Sequence, residues 1–235
     1  MKKTIVFAAL LLSFFSCKIS KKTAIPTGDD GKIEVVFLQM NDVYEISALE
    51  GGQTGGLARV ATLRKNLLAK NPNTITVLSG DFISPSVIGT LKYEGQRIRG
   101  RHMVECLNAL GVDYVCFGNH EFDYPFPDLQ ARIDESHFKW IAGNVRQNNP
   151  EPTKIPFKST GETSPKCPIS TTIDLKDADG TTVKIGIFAT CIDAAKKDFV
   201  TYENWKTSAI AEANRLRTET DFVVGLTHIY QKQDE

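Results

Sequence analysis

The 235-residue sequence carries no surplus of charge: 28 Lys and Arg stand against 28 Asp and Glu. That argues against a nucleic-acid polymer as partner, because proteins that hold one usually show a basic excess or stripe. Small anionic ligands stay open, since a local site can be strongly charged in a neutral protein. Cysteines number only five, and none falls in CxxC or another zinc-knuckle spacing. Cys106 and Cys116 sit among apolar residues and read as core thiols. Cys167 and Cys191 are left open between thiols and a disulfide of an oxidising compartment. No internal repeat or low-complexity tract stands out. The chain is 41% hydrophobic, enough to bury a core in one large or two small domains.

Long apolar runs are also lacking. The run Ile5 to Phe15 is short of the ~20 residues that a membrane span needs. Preceded by Lys2 and Lys3, it reads as the hydrophobic region of a secretory signal. Its end, "SFFSCKISKK", resembles a bacterial lipoprotein cleavage box, with Phe14 where Leu is commonest. On that reading residues 1–17 form the signal, Cys17 becomes the lipidated mature N-terminus, 18–31 are a tether and 32–235 fold. The competing reading is ordinary signal cleavage near Ser16. The lipoprotein reading predicts an exported protein in the bacterial periplasm or at the cell surface, held to the membrane by lipid.

From residue 33 onward, short β-rich runs alternate with helical patterns. "IEVVFLQM", "TITVLS", "VDYVCF" and "DFVVGLTHI" read as strands, and "TTIDL" and "VKIGIFAT" as a hairpin turning at Asp179-Gly180. "GGLARVATLRKNLLAK" places Leu57, Val60, Leu63 and Leu67 at helical spacing, and "RHMVECLNALG" reads as a helix closed by Gly111. Further helices are predicted near 127–136 and over "SAIAEANRLR". Such alternation predicts an α/β fold with strands buried on both faces.

In such folds ligands bind beyond the carboxyl ends of strands. Those ends deliver Asp42, then Gly80-Asp81, then Gly118-Asn119-His120-Glu121, and finally Thr227-His228. A single strand-terminal Asp is more often a cap or turn residue than a ligand, and a lone His more often a hydrogen-bonded one. Four ends carrying oxygen or nitrogen donors in sheet order are much harder to explain as caps. The mixed set suits a divalent metal such as Mn, Zn, Fe or Co.

The motifs "LQMNDVYEI", "LSGDFISPS", "CFGNHEFDYP" and "DFVVGLTHI" resemble the metallophosphoesterase domain of the bacterial 5′-nucleotidase/UDP-sugar hydrolase family. "GGLARVATLRK" and "IAGNV" fit that family in order, and the resemblance covers roughly 33–235. It implies a mixed two-sheet sandwich flanked by helices, an αββα architecture, incomplete at the C-terminus. It also implies two divalent ions of the Mn, Zn, Fe, Co or Mg class. Asp42 would bind the first, Asp81 would bridge both, and Asn119 and His228 would bind the second. His120 would serve the transferring phosphoryl group and leaving oxygen, oriented by Asp123. The implied substrate is a small phosphate ester, most simply a nucleotide, attacked by metal-activated water.

Two features depart from the family pattern. Its Asp-x-His reads Asp42-Val43-Tyr44 here, and a phenol with an ordinary pKa near 10 is a poor neutral ligand. Tyr44 is left open between ligating, stacking on substrate and packing. The family's Gly-His-x-His segment is not found in 1–235, and His102 and His137 sit in no motif that would replace it. The alternative reading is therefore a non-catalytic or truncated lipoprotein that keeps the fold and weak metal or nucleotide binding.

Overall fold

The structure is a computed structural model that describes residues 28–148, 155–157, 160 and 167–234. Cys17 and the expected signal lie outside the described residues.

Four strands, β1 (Val36–Met40), β2 (Thr74–Leu78), β3 (Tyr114–Cys116) and β4 (Lys139–Ile141), form a parallel sheet in that order. Between them run helices α1 (Leu57–Lys70), α2 (Arg101–Leu110) and α3 (Phe126–Glu135). After β4 comes a short strand, β5 (Val145–Gln147). A second sheet follows, built from β6 (Ser170–Lys176), β7 (Thr182–Cys191) and β9 (Phe222–His228). β6 is antiparallel to β7, and β7 is parallel to β9. The pair β8 (Val200–Tyr202) and β5 is antiparallel, and α4 (Trp205–Arg217) packs on β7 and β9. The architecture is the helix–sheet–sheet–helix sandwich the resemblance implied.

Alternation along each strand sorts side chains into two apolar layers. Ile75, Val77, Tyr114 and Cys116 of the first sheet pack against Ile185, Ile187 and Leu226 of the second. On the other face Leu78, Val115 and Trp140 meet Met103 and Leu107 of α2 and Leu129 and Ile133 of α3. α2 ends where expected, because Gly111 adopts φ +83 and closes the last turn. In α1 the predicted apolar stripe is incomplete: Leu57 is buried, but Leu63 is 48% exposed. Cys106 is half-buried and Cys116 fully buried. Cys191 is a buried thiol, so it forms no bridge to Cys167.

Register places the strand ends together. Met40 lies opposite Leu78, Leu78 opposite Val115, and Cys191 opposite His228. The reading of one sheet edge carrying all four ends needs correction. Asp42, Asp81 and Asn119 follow the first sheet, whereas His228 ends a strand of the second. Asn144, in "IAGNV", joins the two: it accepts from the Cys191 amide at 2.7 Å and donates to the Cys191 carbonyl at 3.0 Å. A side chain on the preceding Gly143 would collide with the Ala189 carbonyl, so the sheets approach this closely only at glycine.

Candidate metal centre

Asp42 and Asp81 both leave their strands in the left-handed region, at φ 53 and φ 57. Asx residues tolerate that region, and it turns each carboxylate across the strand ends. Gly80 and Gly118 let the two loops touch: a Cβ on Gly80 would lie 2.5 Å from the Gly118 amide nitrogen. Beneath them Phe82, Phe117 and Phe122 are fully buried, which pins each loop to the core.

Glu121 is the hidden fastener of these loops. It is fully buried and accepts four backbone amides, from Asp81 at 2.7 Å, Phe82 at 2.8 Å, Ile83 at 3.2 Å and Gly118 at 2.6 Å. One carboxylate thus ties the Asp81 loop to the Asn119–His120 loop. Burial, and then the charge of Asp81, push its pKa up to about 7, against the pull of the amides. It belongs to the strand-end segment Gly118-Asn119-His120-Glu121 that also carries the expected ligand Asn119. Both of its oxygens face backbone instead, so it is excluded as a ligand.

The ligand candidates converge. Asp42, Asp81 and His228 each offer one atom, all within 4.8 Å of one another. His228 Nε2 lies 3.3 Å from Asp81 Oδ2 and 3.3 Å from Asn119 Oδ1, while its Nδ1 meets the Ser79 carbonyl at 2.7 Å. That last bond fixes the ring and directs Nε2 into the centre, as outer partners of ligating histidines do. Burial opposes charge on His228, but the Asp81 hydrogen bond and charge prevail and push its pKa up to about 9. Burial would raise the Asp81 carboxyl; hydrogen bonds from His228 and the His120 amide outweigh it and hold the group below the usual carboxylate range.

Tyr44 sits inside this group. Its hydroxyl lies 2.9 Å from Asp42 Oδ1 and 3.0 Å from Asp81 Oδ2, and its ring meets His120 edge-on at 6.1 Å. Burial, and then the charge of Asp81, raise its pKa well above the ordinary phenol value.

His120 is not among the converging atoms. Its Nδ1 meets Asp123 Oδ2 at 2.7 Å, and Nε2 stands 4.0 Å from Asp81 Oδ2. Ser84 Oγ donates to the same Asp123 oxygen at 3.0 Å. Burial works against charge on His120, but the Asp123 bond and nearby carboxylates raise its pKa above the ordinary value. His102 and His137 take no part: His102 Nε2 faces Ser86 Oγ at 3.3 Å, and His137 is exposed. Asp42, Tyr44, Asp81, Asn119, His120 and His228 line an open cleft of about 480 Å³.

Two sheets whose joined strand ends present carboxylates, an amide and an imidazole to one cleft make a candidate metal-binding domain. Residues 35–232 match the calcineurin-like phosphoesterase model, and the chain belongs to that family. The trifunctional nucleotide phosphoesterase YfkN of Bacillus subtilis is 32% identical over 108 residues, covering 43% of this chain and 7% of that protein. The 5′-nucleotidase of Bos taurus is 28% identical over 133 residues, 52% of this chain and 22% of that protein. The chain therefore aligns with only a minor part of these curated relatives. Among solved structures, Haemophilus influenzae NAD nucleotidase superposes with a TM-score of 0.67 at 19% identity, covering 86% of this chain and 35% of that one. The 5′-nucleotidase precursor of Thermus thermophilus gives 0.65 at 19%, covering 85% and 38%. These superpositions establish the shared fold.

Glu121, Ser79, Ser84 and Asn144 escaped the sequence reading as supports of the site. Glu121 alone carried a signal, an acid written directly after His120, and only burial tells a fastener from a ligand.

Proposed function

We propose that the chain is an exported metal-dependent phosphoesterase domain that hydrolyses small phosphate esters, nucleotides foremost. The observation that carries this is the convergence of Asp81, Asn119 and His228 beside a separate His120–Asp123 pair. The donor set of carboxylate oxygen, amide oxygen and imidazole nitrogen fits Mn, Zn, Fe or Co. Asp42 and Asp81 would hold one ion, and Asp81, Asn119 and His228 the other. Bound divalent ions supply Lewis acidity and lower the pKa of water toward neutrality.

The chain's own residues do the rest. Asp81 offers two oxygens and a charge held low, which suits it to both ions. Asp123 outweighs burial and raises the His120 pKa above its ordinary value, which favours a proton on Nε2 toward the leaving oxygen. Ser84 and Asp123 keep that ring from turning. The cleft is of the size that small-molecule sites take. The nucleotide assignment draws on relatives named for nucleotide hydrolysis.

Export and anchoring rest on the N-terminal pattern. Among the described residues no helix is long and apolar enough to cross a membrane. Lipid on Cys17 would supply the attachment, and Cys17→Ser should shift the protein from the membrane to the soluble fraction. Equal release of both forms would rule it out.

Tyr44 favours the second reading, a domain that binds without turnover. Phosphate release from nucleoside 5′-monophosphates and from a simple aryl phosphate, measured on metal-loaded protein, separates the two. Hydrolysis of the nucleotides supports the enzyme; inertness toward every ester despite bound metal supports the binding domain.

A further inference from the structure

Asp42, two residues past the end of β1, has a hydrogen donor beside each of its carboxylate oxygens. Oδ1 faces the Tyr44 hydroxyl at 2.9 Å, and Oδ2 accepts the Asn41 side-chain amide at 2.7 Å. The same Tyr44 oxygen stands 3.0 Å from Asp81 Oδ2. One phenol therefore spans the two carboxylates that the family resemblance gives to the first ion. His228 approaches that same Asp81 Oδ2, while Oδ1 accepts the His120 amide at 2.8 Å. Asn119 Oδ1 and Asp81 Oδ2 each lie 3.3 Å from His228 Nε2, so two oxygens meet one ring nitrogen.

A hydroxyl between two carboxylates does part of a cation's work. It stabilises the anion that accepts its proton and leaves neither carboxylate without a donor nearby. An imidazole in its place would offer a neutral nitrogen lone pair to a metal; a protonated phenol is a far poorer neutral ligand. We infer that Tyr44 is a hydrogen-bond donor holding the place of the first ion. The centre is thereby unequal: Asp81, Asn119 and His228 offer one ion three kinds of donor atom once the His228 proton leaves, whereas the Asp42 side offers carboxylates alone and must also displace Tyr44 and Asn41. Asn41 reinforces this by occupying the outer oxygen of Asp42. The inference rests on the metal reading given above and deepens it, making Tyr44 the residue that sets metal stoichiometry.

Calorimetric titration of the chelator-stripped chain with Mn2+ tests it, in wild type, Tyr44→Phe and Tyr44→His. The wild type should bind one ion tightly and a second about tenfold or more weaker, the size of effect that metal-site neighbours exert. Tyr44→Phe should weaken neither site, because no ligand is lost. Tyr44→His should tighten the weaker site by about tenfold or more. Loss of affinity in Tyr44→Phe would overturn the inference, as would a visible phenolate-to-iron absorption in ferric wild type that Tyr44→Phe lacks. Two equally tight ions in the wild type would overturn it too, while leaving the metal reading intact. Absence of any bound ion would remove the metal reading and this inference together.

Discussion

His120 and His228 lie in one cleft, yet their partners give them different work. His228 points Nε2 at Asp81 and Asn119, whereas His120 spends Nδ1 on Asp123 and keeps Nε2 for the cleft. His120→Ala should therefore leave metal content nearly unchanged and lower turnover by about 10²–10⁴, the range for acid–base groups. Asp123→Asn should cost less, since the imidazole remains. Metal analysis and hydrolysis measured on one preparation check both, and joint loss of metal and activity would mark His120 as structural. His228 makes a pH prediction. In the metal-free chain its pKa rises from 6.5 to about 9, so its stabilisation is complete below about pH 6.5 and is lost as pH climbs through 9. Asp81 moves the opposite way: held low, it stabilises above its unfolded value and loses that contribution as pH falls through its folded pKa. The His228 proton must leave before Nε2 can ligate, so metal binding should release a proton and tighten with pH up to about 9. Calorimetry at neutral pH in buffers of differing ionisation heat counts that proton; finding none released would contradict the assignment.

At the level of strands and loops, the centre depends on two loops held in register by Glu121. Glu121→Gln replaces one acceptor oxygen with an amide that faces backbone donors. Each unpaired amide should cost about 1–3 kcal/mol, seen as a lowered melting temperature. Metal affinity should fall about 10–100-fold although Glu121 touches no ion. Titration of the variant below its melting point checks this, and unchanged affinity would show the loops to be set by other contacts. Such supports were poorly legible in the sequence for a physical reason. Asp42, Asp81 and His228 announce themselves because a polar residue interrupts an apolar run, and His120 because it adjoins them. Glu121 looks identical in sequence to an exposed acid, and its role appears only once Phe82 and Gly118 are brought against it. Leu63 errs in the other direction: periodicity placed it on the apolar stripe of α1, yet it stays 48% exposed.

Across the whole molecule, the alternating pattern was enough to anticipate an α/β fold and the strand-end residues a candidate metal cleft, while the two-sheet sandwich was implied only by the family resemblance. They did not reveal that the cleft straddles two sheets. That arrangement needs His228 brought over from β9, and the contacts that bring it are Asn144 to Cys191 and Ser79 to His228. No local pattern in "IAGNV" or "VLSGD" betrays a bond spanning 47 or 149 positions of chain. On the proposed function, joining the sheets makes a metal-dependent phosphoesterase, with Asp81 as the shared hub. The most direct test strips the chain of metal, restores it, and follows nucleotide hydrolysis beside metal content in wild type and Asp81→Asn. Activity should vanish on stripping and return with metal, while Asp81→Asn should lose metal and at least about 10²-fold in rate. Hydrolysis that survives stripping, or an Asp81→Asn chain with normal metal content and turnover, would contradict the claim.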